Sequence, residues 1–285
     1  MADSTWAQEA REDNWLQDQH AQETINIVQS VSEGKTDPTT GAHEIRSLYE
    51  PLLNADPEIL PTIWVVLCRA VKAIGSDEDV SHRLGDFVLA IEQAGEIVNT
   101  DSRAPVQLNS QTAWTGLPEL ATIFRIYGMD IRDHDEYQRD WIEQGPGLLG
   151  ATTFAAMFLE RTSKPSLMAF LASSALIDGL EISWADDFAN QRCVYLEAAT
   201  IWLRFAPRAL LKLCEERYAR AAVCGTLEVG CKWLRPGERG CSEARWDFWK
   251  QRLRELSSTD GVDDRLRQLA KHAADKIEAV GIVKH

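Results

Sequence analysis

Residues 59–75 read ILPTIWVVLCRAVKAIG, the most hydrophobic stretch in the first part of the chain. Asp56-Pro57 stands just ahead of it. An Asp there can accept from free backbone N–H groups, and Pro tolerates the first turn of a helix. Gly75 ends the run. The stretch therefore reads as a buried helix, and the same signals repeat on either side of it.

Towards the N-terminus, a helix is expected from about Thr5 to Ser32, ending at Gly34, with Ile25, Val28 and Val31 at helical spacing. A second begins near Thr40 and carries Ile45, Leu48, Tyr49 and Leu52. Towards the C-terminus, Ser76 reads as a cap, with Asp77, Glu78 and Asp79 where acids favour the positive end of the helix dipole. That helix sets Leu84, Phe87, Val88 and Ile91 on one side. Residues 99–109 are polar, contain Pro105, and read as a loop. They form the expected seam between N-terminal helices in 1–98 and a C-terminal part in 110–285, together one fold.

Beyond the seam, Leu117–Tyr127 and Asp135–Glu143 are expected helices, the second broken by Gly145-Pro146-Gly147. A helix resumes over Leu148–Arg161. After Ser163–Pro165 the chain restarts, with Leu167, Phe170, Leu171 and Leu176 inward. Asp186–Tyr218 is the longest apolar block, with a kink or break at Pro207. GTLEVGCKWLRPGERG reads as a long loop, followed by helices over Ser242–Leu256 and Val262–Val280. The last carries a stripe of Leu266, Leu269, Ala273, Ile277 and Val280. Alternating strand patterns bounded by hairpin turns are absent. The fold class is all-α, a multi-helix bundle or orthogonal helical array forming a single compact unit.

Composition narrows the function classes. The chain has 285 residues and is 45% hydrophobic, as a globular protein should be. Its 30 Lys and Arg against 44 Asp and Glu leave a net charge of −14. A chain this acidic repels phosphate backbones unless it concentrates a basic patch. Lys250, Arg252 and Arg254 are the best candidates, but Asp247 and Glu255 interrupt them, so no nucleic-acid partner is expected. No apolar run approaches the ~20 residues that span a bilayer, so no membrane partner is expected. The N-terminus, MADSTWAQEAREDNW, lacks the features of a secretory or mitochondrial signal. The expected setting is the cytoplasm or the nucleus, with the six cysteines (Cys68, Cys193, Cys214, Cys224, Cys231 and Cys241) reduced.

The segment EAATIWLRFAPRALLKLCEE (197–216), a loop, and then SEARWDFWKQRLREL (242–256) resembles a large ascomycete family of helical proteins, the domain of unknown function 3632. Members carry a similar Ala-Ala-x-x-Trp helix and an Arg-Trp-x-Phe-Trp-Lys motif. Here that motif is Arg245, Trp246, Phe248, Trp249 and Lys250. The family's mid-chain NLNAF-x-ARL helix corresponds to FAAMFLERT (154–162), which keeps Phe158, Leu159 and Arg161 but lacks the asparagines. The likeness covers about Leu117 to the end. It implies a fungal, all-α, non-secreted protein and brings no reaction, cofactor or ligand.

Trp202, Trp246 and Trp249 are the candidate ligand-binding residues, since Trp offers a large apolar face with one N–H handle. The competing reading is that the rings fill the space between helices. Other constellations are weaker. Asp130, Asp133, His134, Asp135 and Glu136 could hold a divalent metal, but an acidic first turn explains them. Asp186-Asp187 resembles the metal-holding start of all-α terpene cyclases, yet Asn190 stands where a third acid is needed. Cys224, Cys231 and Cys241 are too widely spaced for zinc, which favours CxxC pairs. Gly-rich nucleotide loops, GxSxG and HExxH are all missing.

No metal and no cofactor are therefore expected. The leading expectation is a non-catalytic interaction or regulatory protein with an unidentified protein partner. The alternative is an accessory protein or cyclase- or isomerase-like enzyme of fungal secondary metabolism, holding a small apolar ligand. A third is a metal-dependent helical enzyme using Asp130/Asp133 or Asp186/Asp187.

Overall fold

The computed structural model describes residues 5–99, 102–129, 138–182, 189–218, 241–259 and 262–280. Among these, 12 α-helices run with one two-stranded hairpin, so the all-α class holds. The chain forms two compact units, residues 1–130 and 131–285.

In the first unit, α1 (Thr5–Glu12) and α2 (Gln19–Ser32) replace the single helix expected over Thr5–Ser32. Two aspartates divide them. Asp13 accepts from Trp15 N at 2.8 Å and starts a 3-10 turn over Asn14–Leu16, and Asp18 accepts from Ala21 N at 2.8 Å to start α2. Side-chain capping offers the backbone an alternative to continuing the helix. Gly34 then ends α2 with φ +71, the left-handed conformation that favours glycine.

Asp37 caps α3 (Pro38–Leu53), and Asp56 caps a 3-10 turn leading into α4 (Pro61–Ile74), the hydrophobic helix closed at Gly75. The cap of α5 (Glu78–Gln93) is Asp77 and not Ser76: its carboxylate accepts from Asp79 N and Val80 N. Helix α2 packs against α3, α4 and α5, burying Ile25, Val28 and Val31 with Tyr49, Leu67 and Phe87. At the stretch read as loop, Val98 just ahead of it bridges to Pro105 within it. A short hairpin of β1 (Gln107–Leu108) and β2 (Gln111–Thr112) follows. Trp64 of α4 is fully buried and donates from Nε1 to the Pro118 carbonyl at 2.7 Å, tying α4 to the segment before α6 (Leu120–Ile123).

In the second unit, α7 (Gln138–Arg161) passes unbroken through Gly145-Pro146-Gly147. The break expected there is overridden by packing. A Cβ on Gly145 would lie 2.9 Å from Val194 Cγ2, so the glycine lets α7 come close to α9 (Ala189–Phe205). Helix α8 (Ser166–Leu176) buries Met168, Leu171 and Leu176, but Phe170 is 42% exposed, not inward. Pro207 does break the long block: α9 ends at Phe205 and α10 (Pro207–Glu215) starts with the proline in its first turn, where its missing N–H costs nothing. Ser242 caps α11 (Glu243–Ser258), and α12 (Asp264–Val280) lays Leu266, Ala273 and Ile277 inward. Helix α9 is the hub, touching α7, α8, α10 and α12. Among the described residues, no helix is long and apolar enough to cross a membrane.

Candidate functional site

The densest buried polar chemistry in the described residues gathers at the start of α11. Helix α8 runs on into a π-helical turn over Ile177–Glu181, which packs on α9. Gly179 makes that approach possible. A Cβ there would fall 2.4 Å from the Tyr195 carbonyl oxygen and 2.6 Å from Ala199 Cβ. The close seat delivers Glu181 into the interior with its side chain fully covered.

Arg245 lies in the first turn of α11, its own backbone N–H donating to Ser242 Oγ at 3.2 Å. A cation here opposes the positive end of the helix dipole, and burial compounds the cost. Glu181 offsets both. Arg245 donates from Nε and Nη2 to the two carboxylate oxygens, each at 2.7 Å, in the planar fork that guanidinium and carboxylate share. One turn later on the same face, Trp249 Nε1 donates to Glu181 Oε1 at 2.7 Å. The carboxylate is thus engaged by two side chains of one helix and is not a free base.

A thiol pair adjoins this centre. Cys214 lies in the last turn of α10 and Cys241 just before the Ser242 cap, and both are buried. The neighbouring Cys241 and burial push the Cys214 thiol up. Elsewhere, burial pushes Cys68 up to about 12, as for an inert core thiol.

The tryptophans named from sequence are all buried. Trp249 serves Glu181, Trp246 sits in the core, and Trp202 Nε1 has no hydrogen-bond partner among the described residues. The basic residues of α11 are neutralised: Lys250 pairs with Asp247 at 3.0 Å, Arg252 with Glu255 at 2.9 Å, and Arg254 with Glu278. The acids Asp130, Asp133, Asp135 and Glu136, His134, the Asp186-Asp187 pair, and Cys224 and Cys231 lie outside the described residues. Among the described residues, no three metal-ligating side chains come together.

The residues that build this centre, Glu181 on the π turn and the Arg-Trp-x-Phe-Trp-Lys helix, fall inside a family-model match over residues 64–253. The matching family is described as protein of unknown function DUF3632. The chain belongs to the DUF3632 family. The match runs across both units and starts at Trp64, well ahead of the Leu117 at which the resemblance in the sequence begins. No curated protein and no solved structure matches the chain significantly. In this DUF3632 member, the arginine and the second tryptophan of the motif act together to hold one buried carboxylate.

Sequence reasoning named Arg245 and Trp249 but missed Glu181. A signal for it was present. Arg245, Trp249, Leu253 and Leu256 recur at helical spacing, and all are buried. An arginine in an apolar stripe requires an acid from elsewhere in the fold.

A second feature lies in the first unit and concerns the surface. Trp15 is 87% exposed, yet its turn is firmly held. Asp13 accepts from Trp15 N and pairs with Arg69. Gln17 donates to the Arg11 and Asp13 carbonyls at 2.8 Å, Gln22 donates to the Leu16 carbonyl at 2.6 Å, and Leu16 is buried. The indole is presented on an anchored turn.

Proposed function

We propose that this DUF3632 protein is a non-catalytic interaction protein, and that the Trp15 turn is where it contacts a protein partner. The observation that carries the reading is the exposure of Trp15 on a backbone pinned from both sides. Trp is enriched among the residues that dominate binding energy at interfaces. A ring whose backbone is already fixed loses little entropy when a partner covers it. The buried centre supports the same reading. The Glu181 carboxylate is spent on Arg245 and Trp249, leaving it no lone role as a general base.

The test is photo-crosslinking in the cells that make the protein, with a photoreactive residue at position 15 and, as a control, at the exposed Asp79. A discrete heteromeric adduct from position 15, missing from position 79 and competed by untagged wild type but not by Trp15→Ala, supports the proposal. Equal labelling at both positions, or a chain that stays monomeric and uncrosslinked, refutes it. So does a small molecule retained through native mass spectrometry and turned over by the chain.

A further inference from the structure

We propose that the Trp15 turn receives an arginine from a basic segment of the partner protein, with Glu12 and Asp18 as its counter-charges. This rests on the contact reading above and names the chemistry of what makes the contact. Glu12 is the last residue of α1 and Asp18 is the cap of α2, so the two acids bracket Trp15 in the chain. The link between them is a 3-10 turn, which rises only about 2 Å per residue, so both stand within reach of a side chain laid on the indole. All three residues are exposed. Each carboxylate is oriented through one oxygen. Asp18 Oδ1 accepts from Ala21 N at 2.8 Å, with His20 Nδ1 3.8 Å away, and Glu12 Oε1 accepts from Gln8 Nε2 at 2.7 Å. Among the described residues, neither acid pairs with a lysine or an arginine at its other oxygen. The arginines nearby are already engaged: Arg11 donates to Asn26 and Gln29, each at 2.9 Å, and Arg69 pairs with Asp13. Among the described residues, the rings with an arginine over them are Trp114 and Phe205, not Trp15.

The turn therefore presents an aromatic face and two negative charges that lack a cation. An arginine answers all three. Its guanidinium stacks flat on an indole and offers N–H groups in a fork that carboxylates accept, whereas a lysine ammonium is a compact, strongly hydrated charge. The first unit builds the same arrangement internally: the Arg46 guanidinium lies 5.7 Å from the Trp114 ring centroid while its Nε donates to Glu50 at 2.7 Å. The net charge of −14 selects the occupant further. It repels a second copy of this chain, nucleic acid and anionic lipid, and draws in a basic protein segment.

The probe is a fluorescein-labelled decapeptide alternating Gly and Arg, with its Lys and Glu counterparts, added to the full chain and read by anisotropy. The salt is about 150 mM, where the Debye length of about 8 Å screens distant charges. The arginine peptide is expected to bind about threefold tighter than the lysine one, and the glutamate one not to bind. The peptide offers the ring only a stacked cation, so Trp15→Ala should weaken the arginine peptide about threefold and shrink its advantage over lysine. Glu12→Gln with Asp18→Asn should weaken both basic peptides about fivefold, while the asparagine keeps α2 capped. Glu58→Gln with Asp79→Asn removes the same charge from exposed positions elsewhere in the first unit and should change binding less than about 1.5-fold. Equal weakening by the two neutralised pairs overturns the proposal, and so does an arginine advantage that survives Trp15→Ala undiminished. The contact reading fails separately. A photo-adduct from position 15 on a partner segment without arginine overturns this proposal alone, and the lack of any adduct overturns both.

Discussion

Removing the charge of Glu181 should cost the second unit much of its stability. The Glu181 side chain is fully covered and that of Arg245 is 4% exposed, so solvent screens neither. In Glu181→Gln the amide oxygen can still accept from Trp249, but the guanidinium is left buried without its counter-charge. Breaking a buried ion pair from one side costs about 3–5 kcal/mol. In Glu181→Leu the Trp249 N–H also loses its acceptor, adding about 1–3 kcal/mol. A domain holds only about 5–15 kcal/mol in all, so the leucine variant should stand close to unfolding. Glu181→Leu with Arg245→Met removes both charges and strands only the indole N–H. It should therefore be more stable than Glu181→Leu alone, by about 2 kcal/mol or more.

The assay is native-state hydrogen exchange read by mass spectrometry on peptides of α9 and α11, because two compact units need not unfold together. At about 1.4 kcal/mol per decade, a loss of about 3–5 kcal/mol in Glu181→Gln should lower protection in α11 by about two to three and a half decades. Peptides of α3 and α5 should be unchanged. The reasoning fails if Glu181→Gln shifts α11 less than about threefold. It also fails if the double variant is as weak as the two single losses added together, since the charges would then not be coupled.

Other outcomes follow from the same geometry. Gly179→Ala drives a methyl into the Tyr195 carbonyl and should cost about 3 kcal/mol or more, whereas Gly145→Ala meets only a movable Val194 methyl and should cost about 1 kcal/mol; thermal melts of the two variants compare them. The first unit should weaken in alkali. Burial raises the Tyr49 phenol, bonded to Thr24 Oγ1 at 2.9 Å, and pushes Cys68 up to about 12, so the folded state keeps protons that the unfolded chain releases first. Stability is then full below about pH 9 and falls as pH rises toward 12, which exchange on α3 and α4 peptides at pH 8 and 10.5 would register once corrected for intrinsic rates. A flat profile would contradict it. Trp15→Ala should leave the melting temperature almost unmoved, within about 0.5 kcal/mol, while weakening partner binding by about 2 kcal/mol, or thirtyfold.

The helices were legible wherever one signal dominated. Pro207, Gly75 and Ser242 mark real boundaries because each acts on its own backbone. Misreadings arose where a distant partner decided. Gly145-Pro146-Gly147 carries breaker residues, but α9 lies against that stretch and packing recovers more than one lost backbone bond costs. Asp13 and Asp18 look like ordinary surface acids of a long helix, and only their capping bonds divide it.

The buried centre shows the same limit in sharper form. Arg245 and Trp249 could be placed on one face of one helix from spacing alone, and the apolar Leu253 and Leu256 on that face imply that Arg245 is buried too. A buried arginine demands an acid, but the chain carries 44 acids, and spacing does not choose among them. The choice is made by Gly179, two residues before Glu181, because only a residue without a side chain lets the π turn sit against the Tyr195 carbonyl. The informative pattern was thus divided between a glycine that looks like a helix breaker and an arginine that looks like a surface charge. Each has its meaning only once the π turn is seated on α9 and against α11. The exchange experiment on Glu181 therefore also tests Gly179: Gly179→Ala should lower α11 protection even though it touches neither Arg245 nor Trp249, and normal protection there would show that the acid is positioned by something else.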